Sequence, residues 1–365
     1  MGIGLEVKEK KRNSNFELLR IICIVLIIAH HYAAHGDWDM DNTLSFNKFL
    51  IRFLQSGGKV GVNCFILITG YFMVKSSVTW KKIIKIGVQV WFYSVAILGI
   101  VVCFNLTEVS FITAVKSFLP IIFGKYWFAT AYILLCLLAP YINEFIHNLT
   151  ILNYQKLILL LTILLSVIPT FTSAELMFSN FIWFVYLYML AGYQRLYPLK
   201  IKVHKYVYLV IAMVSYLLIF IGISLFDIMG TKHYVFYEHA TYISNISTIP
   251  VLLCSISLFY FFANLEIGSI KWINLISRTT FGIYLIHDNE LIRTILWQKI
   301  AKSSLYYESN FLILHALVTI AMVFILCMMI ESVRIKVMDM PFSKLLEKIK
   351  LKKVIIFRAR RKTVL

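Results

Sequence analysis

The chain has 365 residues, of which 60% are hydrophobic and only 15% are charged, and its mean hydropathy is +0.80. A soluble domain carries roughly a quarter of charged residues, so this composition excludes an ordinary water-soluble fold. The net charge of +18 does not indicate nucleic acid as a partner, because the cations lie between apolar segments along one predicted membrane face. Anionic lipid headgroups attract such cations, and the lipid bilayer is the first predicted partner.

Ten segments of the chain approach the length of about 20 apolar residues that crosses the hydrocarbon core. The sequence therefore predicts an all-α, polytopic integral membrane protein with ten transmembrane helices. The predicted spans are 17–35, 60–76, 86–105, 127–146, 156–173, 177–196, 206–226, 244–264, 279–297 and 311–333.

The distribution of Lys and Arg predicts the orientation of these spans, because cationic loops stay in the cytoplasm. Most of the 36 Lys and Arg lie on the side of the N-terminus, which places both termini inside. The predicted domains are a cytoplasmic segment at 1–16, a membrane domain at 17–334 and a basic cytoplasmic tail at 335–365. A cleaved signal peptide is the alternative for the N-terminus, although Glu17 and Arg20 are unusual in a leader.

Three shorter elements accompany the spans. Residues 47–54 are amphipathic and predict a short helix on the outer surface, and residues 110–125 either re-enter the membrane or lie outside it. Residues 342–357 predict an interfacial helix that anchors the tail to lipid.

All six cysteines lie in predicted spans without a CxxC pair, so we expect small core residues rather than disulfides or metal ligands.

The first predicted span carries several ionisable residues, which are costly inside a bilayer and mark functional sites there. At 100° per residue, the eleven-residue step from Arg20 to His31 leaves the side chains about 20° apart around the helix and about 16 Å apart along it. Glu17 precedes Arg20 by three residues and can pair with it, and His35 lies one turn beyond His31. The spacing thus predicts that Arg20 and His31 share one face.

Two other interpretations of this helix stay open. Arg20 can extend its charge to the membrane surface while the histidines cap the other end of the helix, which is a purely structural role. His30, His31 and His35 can also bind a metal, but no acidic or cysteine partner at ligand spacing accompanies them. The sequence therefore predicts no metal site.

The first helix resembles the opening of the membrane acyltransferase-3 family, in which an acidic residue, an arginine three positions later and a histidine after ten more residues follow one another. Here these residues are Glu17, Arg20 and His31, with Glu where Asp is commoner. The resemblance runs from about residue 15 to 334 and favours the type that acts on capsule or exopolysaccharide and lacks an appended soluble esterase domain. Its other matching segments are Gly61–Phe72, Gly124–Tyr132 with Ala139–Asn143, Ser277–His287 and Ile330–Arg334, the last without the proline that the family often has.

The resemblance implies an enzyme of the bacterial plasma membrane that transfers an acyl group, by default acetyl, from acyl-CoA to a cell-surface polysaccharide or its lipid-linked precursor. Acetyl-CoA is then a donor substrate, and no tightly bound cofactor is expected. Arg20 with Glu17 is expected to bind the donor near the inner face. His31 is expected to act as general base or as a transient acyl carrier. Glu331 is expected to orient His31 if it faces the same cavity, and its predicted place is near the cytoplasmic end of the tenth span.

The remaining candidates are polar or aromatic residues of the matching segments, which we expect to bind the acceptor. They are Lys125, Trp127, Tyr132, Asn63, Arg278, Tyr284 and His287. An interfacial aromatic belt explains Trp127 and Tyr132 equally well, and the last four positions include side chains that can simply join helices by hydrogen bonds. His287 is the first choice among them.

A glycan flippase, polymerase or transport subunit is the alternative function, since such proteins share the polytopic and basic-inside character. It would need no acyl donor. The acidic residue, arginine and histidine at this spacing distinguish the two, because a simple carrier does not require them.

Overall fold

A computed structural model describes residues 13–40, 43–76, 79–172, 179–198 and 203–339. All regular elements within these ranges are helical, as the sequence predicts. The predicted interfacial helix at 342–357 lies outside the described residues. In chain order the α-helices are α1 (Asn15–His35), α2 (Phe46–Gln55), α3 (Gly58–Met73), α4 (Trp80–Cys103), α5 (Phe111–Phe118), α6 (Trp127–Asn148), α7 (Ile151–Thr162), α8 (Ile168–Thr172), α9 (Asn180–Leu196), α10 (Lys205–Gly230), α11 (Tyr234–Glu238), α12 (Ile249–Ala263), α13 (Lys271–Ile276), α14 (Thr280–His287), α15 (Glu290–Thr294) and α16 (Leu312–Arg334).

Seven helical segments within the described ranges are long and apolar enough to cross a membrane. They are Asn15–His35, Trp80–Cys103, Trp127–Asn148, Ile151–Thr172, Lys205–Gly230, Tyr234–Ala263 and Leu312–Asp339, and each overlaps one predicted span. The other three predicted spans are helical but short or interrupted. α3 has 16 residues, α9 has 17, and the segment at 279–297 divides into α14 and α15. A multi-pass membrane protein is thus supported, while the count of ten and the orientation stay predictions.

α1 lies at the centre of the bundle, where it packs against α3, α12, α14 and α16. Leu19, Cys23, Ile24 and Ile28 on this helix are fully buried. A Cβ at Gly61 of α3 would overlap with the backbone carbonyl of Cys23, so the glycine allows α1 and α3 to approach closely. The helix that carries Arg20 and His31 is therefore largely surrounded by protein.

The segment predicted as one span at 279–297 is broken in its middle. α14 ends at His287 and α15 begins at Glu290, with Asp288 and Asn289 between them. Backbone that is not helical occurs at membrane depth only where protein or a cavity surrounds it, and Asp288 and Asn289 are both buried. The break places His287 and Asp288 beside α1.

Hydrogen bonds from Asn289 and Tyr126 stabilise this break. The Asn289 side chain accepts from the backbone N–H of Leu291 at 2.9 Å, which caps α15, and donates to Tyr126 Oη at 2.6 Å. Tyr126 Oη donates to the carbonyl of Leu285 at 3.1 Å. Burial raises the pKa of the Tyr126 phenol, so the hydroxyl keeps the proton that it donates.

The predicted amphipathic helix at 47–54 is present as α2, but it is docked more firmly than a surface helix. Asp227 of α10 accepts hydrogen bonds from Arg52 of α2 at 2.8 and 3.0 Å. Lys48 is fully buried, and its Nζ lies 3.9 Å from the same carboxylate. The two cations compensate the buried Asp227 charge and attach α2 to the bundle.

Cysteine placement follows the prediction except at one position. Cys23, Cys64, Cys136, Cys254 and Cys327 are buried and all six cysteines are free thiols. The expectation of a core position was wrong for Cys103, which is exposed because α4 ends there.

Candidate active site

A cavity of 320 Å³, here called the central cavity, lies along α1 between α3, α4, α6 and α14. Arg20 and His31 both line it, so the two residues that the helical period places on one face open onto the same space. The wall between them is mostly apolar, with Ile24 and Ile27 from α1 and Phe65 from α3. The cavity is therefore a channel with a cationic end and a histidine end.

The cationic end is organised by the carboxylate of Glu17. Glu17 is buried, and its Oε1 accepts from Arg20 Nη1 at 2.7 Å while its Oε2 accepts from Ser277 Oγ at 2.5 Å. Glu17 therefore orients the Arg20 guanidinium, which the i,i+3 spacing predicts. Arg278, the neighbour of Ser277, and Gln89 also line the central cavity, so its lining holds two guanidinium groups and a neutral amide that can bind anionic oxygens.

At the other end, His31 and His287 form a directed pair. His287 Nδ1 lies 2.6 Å from the carbonyl of Ile283, which can only accept, so Nδ1 carries the proton and the Nε2 of neutral His287 is an acceptor. His31 Nδ1 lies 3.0 Å from that Nε2 and donates to it. The Nε2 of neutral His31 is then left with a lone pair, which makes it the basic and nucleophilic atom of the site.

The break between α14 and α15 adds a carboxylate to this pair. Asp288 Oδ1 lies 3.6 Å from His31 Nε2 and accepts from Arg293 Nη2 at 2.9 Å. When His31 Nε2 takes up a proton, Asp288 stabilises the imidazolium charge at close range. Asp288 is buried, with a side chain only 4% exposed, so water screens this attraction little.

The same cluster resembles a metal site only in part. Ligand atoms of His31, His35 and Asp288 lie within 4.8 Å of one another, so the fold supplies the acidic partner that the sequence spacing lacks. The Arg293 guanidinium, however, already occupies Asp288 Oδ1. His31 Nδ1 is engaged with His287, and a nearby cation disfavours a second positive ion. The arrangement favours proton transfer over metal binding.

Four of the predicted acceptor-binding residues line the central cavity: Trp127, Tyr132, Arg278 and Tyr284. Trp127 also carries the Lys59 ammonium over its ring, 5.0 Å from the centroid. His287 is fully buried. It contacts His31 through the hydrogen bond described above and is not among the residues that line the central cavity.

The two remaining candidates, Lys125 and Asn63, lie elsewhere. Lys125 forms an ion pair with Glu290 at 2.6 Å, in a separate pocket. Asn63 is fully buried and joins helices, since it accepts from Trp183 Nε1 and donates to the carbonyl of Ile246, both at 2.9 Å. The expectation that Asn63 contacts substrate is therefore not supported, because both ends of its amide are already bonded within the protein.

Glu331 does not reach His31. Its carboxylate accepts from Arg334 at 2.7 and 2.8 Å, from Tyr93 at 2.5 Å and from Gln89 at 3.0 Å. These bonds satisfy the buried charge, and none of them joins Glu331 to His31, so this structure does not support Glu331 as the orienting acid. Glu331 is linked to the central cavity through Gln89, whose amide donates to it and lines the wall.

Asp288 and Arg293 are candidate site residues that sequence analysis missed. A carboxylate in the middle of a predicted apolar span is costly, and Asp288 directly follows His287. Its position in the sequence is therefore enough to mark Asp288 as a candidate site residue.

Comparisons with known proteins identify the domain. The family model described as an acyltransferase domain matches residues 13–332, which includes every residue of the central cavity. No curated protein and no solved structure matches the chain.

Proposed function

Because the chain belongs to the acyltransferase-3 family, we propose that it transfers an acetyl or other acyl group from acyl-CoA to a cell-surface polysaccharide or its lipid-linked precursor. The observation that carries the proposal is the single cavity that joins Arg20 to His31. A donor with a polyanionic end and a reactive thioester at the other end of a slender arm matches such a channel.

The donor lies along α1 in this proposal. Phosphate oxygens of CoA bind the guanidinium groups of Arg20 and Arg278, which pair with such oxygens through two N–H groups at once. The pantetheine arm follows the apolar wall, and the thioester lies near His31, about 16 Å further along the helix. Since CoA is cytoplasmic, Arg20 faces the inner side and both termini are cytoplasmic, in the plasma membrane of a bacterium.

His31 then carries out the chemistry with two helpers. His31 Nε2 removes the proton from an acceptor hydroxyl, the oxygen attacks the thioester carbonyl, and the C–S bond breaks as the CoA thiolate leaves with the proton from the imidazolium. His287 holds the tautomer, and Asp288 stabilises the charge on the protonated ring. The same Nε2 is the atom that would carry the acyl group in a covalent route.

Transfer of radiolabelled acetyl from acetyl-CoA into glycan, measured in membranes that contain the full chain, tests the proposal. We expect His31→Gln to abolish the incorporation and His239→Gln to leave it unchanged, since His239 is an exposed histidine that directly follows α11 and bonds to the carbonyl of Val235 in that helix. Incorporation by His31→Gln at the wild-type rate would contradict the role of His31. Glycan export without any label, and independent of acyl-CoA, would favour the flippase or transport alternative.

A second measurement separates the two routes through His31. In a covalent route, labelled CoA exchanges into acetyl-CoA without any acceptor, because the acyl-imidazole returns its acetyl to free CoA. A general-base route gives no exchange until the acceptor is present.

A further inference from the structure

A second pocket, here called the basic pocket, lies beside the histidine end of the site. It has a volume of 240 Å³ and is lined by Lys116, Phe123, Gly124, Lys125, Glu290 and Arg293. Three cations face one carboxylate in this lining. Gly124 has a φ of +62°, a left-handed conformation that glycine adopts without strain, and the turn there presents Lys125 to Glu290.

The cations of the basic pocket retain unused hydrogen-bonding capacity. The exposed Lys116 ammonium has neither an ion pair nor a hydrogen bond among the described residues. Arg293 Nε is buried and has no acceptor in the part of the chain that the structure describes, although Nη2 of the same guanidinium bonds to Asp288. A buried N–H group without a partner is costly, so an additional anionic oxygen at this position would stabilise the pocket.

Arg293 connects the basic pocket to the reacting nitrogen. Its Nη2 lies 2.9 Å from Asp288 Oδ1, and that oxygen lies 3.6 Å from His31 Nε2. A ligand held by Arg293 is thus separated from His31 by one side chain. A molecule that binds the basic pocket can therefore present a neighbouring group to His31.

We propose that the basic pocket binds a carboxylate or phosphate group of the acceptor, so that the acceptor is an acidic saccharide whose modified hydroxyl lies close to that group. The assignment rests on the proposed acyl transfer and adds the class of acceptor to it. An arginine and two lysines recognise such oxygens by charge-assisted hydrogen bonds, whereas a neutral sugar would leave the Lys116 charge and the Arg293 Nε–H group without an anionic partner. A lipid phosphate has the same chemistry, but the link through Arg293 to His31 favours the substrate.

Binding without any donor tests the assignment independently of acyl transfer. The full chain is purified and reconstituted in discs of phosphatidylcholine, and the affinities for trigalacturonate and for its neutral methyl ester are measured. We expect the wild type to bind the acid on the order of tenfold more tightly than the ester. The double variant Lys116→Gln/Lys125→Gln should lose this preference.

A matched control removes two exposed lysines from the same predicted side, Lys232→Gln/Lys302→Gln, and should keep the preference. Equal affinities for acid and ester in the wild type, or an unchanged preference in the Lys116/Lys125 variant, would overturn the proposal. A lipid site would give a different result: neither saccharide binds, and added phosphatidylglycerol raises the melting temperature of the wild type but not of the Lys116/Lys125 variant. The proposal would then be wrong, because the basic pocket would hold a lipid headgroup. Acid-selective binding by a chain that transfers no acetyl would instead reject the proposed function and leave the anion site intact.

Discussion

His31 Nδ1 and His287 Nε2 are joined by a 3.0 Å hydrogen bond between α1 and α14. The direction of this bond is set by a third group, the carbonyl of Ile283, which lies 2.6 Å from His287 Nδ1. The pair therefore fixes which nitrogen of His31 is free to react. In serine hydrolases a carboxylate orients the catalytic histidine, whereas here a neutral imidazole orients His31 and the carboxylate of Asp288 lies near its other nitrogen, Nε2.

Substitution of His287 is predicted to reduce turnover rather than donor binding. His287→Leu removes the acceptor for His31 Nδ1–H, and we expect kcat to fall on the order of 100-fold because the ring loses its tautomer and orientation. The KM for acetyl-CoA should change little, since the proposed binding mode places the donor's phosphates at the Arg20 end. His287→Gln, whose amide oxygen can accept the same proton, should retain more activity than His287→Leu. Equal kcat values for His287→Leu and the wild type would show that His287 does not position His31.

Asp288 is predicted to matter through its charge. Asp288→Asn keeps an oxygen for Arg293 but loses the negative charge that faces His31 Nε2, so protonation of His31 in the transition state becomes harder. We expect kcat to fall by about 10- to 1000-fold. Glu308→Gln, which neutralises an exposed carboxylate, serves as the control and should leave kcat unchanged. If Asp288→Asn changed KM for acetyl-CoA alone, Asp288 would belong to the donor site instead.

Chelation is predicted to leave the activity intact. His31, His35 and Asp288 have the spacing of a metal site, but Arg293 and His287 already engage Asp288 and His31. Dialysis of the purified protein against EDTA should therefore preserve acetyl transfer. A loss of activity that zinc restores would identify the cluster as a metal centre.

The sequence alone predicted the helical class and the face shared by Arg20 and His31, because both depend on local properties. Hydropathy marks the helices, and a rotation of 100° per residue determines which side chains of one helix share a face. The pairing of Glu17 with Arg20 is equally local, since it spans three residues.

Relations between helices could not be predicted in this way. Contact between His31 and His287 joins residues 256 positions apart and depends on the break after α14, which hydropathy does not reveal. Glu331 shows the same limit, since a motif suggested a catalytic role, whereas packing places Arg334, Tyr93 and Gln89 around its carboxylate. The prediction that Asn63 binds the acceptor meets the same limit, because its hydrogen-bond partners, Trp183 and Ile246, lie on other segments of the chain.

The buried pair of Glu331 and Arg334 is predicted to act on stability. Glu331→Gln leaves the Arg334 charge only partly compensated, and we expect a destabilisation of about 3 kcal/mol, typical of breaking one side of a buried ion pair. The double variant Glu331→Leu/Arg334→Met removes both charges and should recover part of this loss. Intrinsic-fluorescence melting in detergent measures the three proteins together. Loss of acetyl transfer in Glu331→Gln at an unchanged melting temperature would instead support the catalytic role suggested by the sequence.

Two glycines in the bundle offer a test of helix packing. A Cβ at Gly70 of α3 would overlap with the backbone of Tyr188 on α9, whereas a Cβ at Gly99 of α4 would have no atom within 4 Å. Backbone cannot move aside as a flexible side chain can, so Gly70→Ala should separate α3 from α9 and destabilise the protein by about 1–3 kcal/mol. Gly99→Ala should be neutral or stabilising by up to about 1 kcal/mol, because alanine favours helix. Because Phe65 and Thr69 of α3 line the central cavity, Gly70→Ala should also lower acetyl transfer. Equal melting temperatures for the Gly70→Ala and Gly99→Ala variants would show that α3 and α9 are not in close contact.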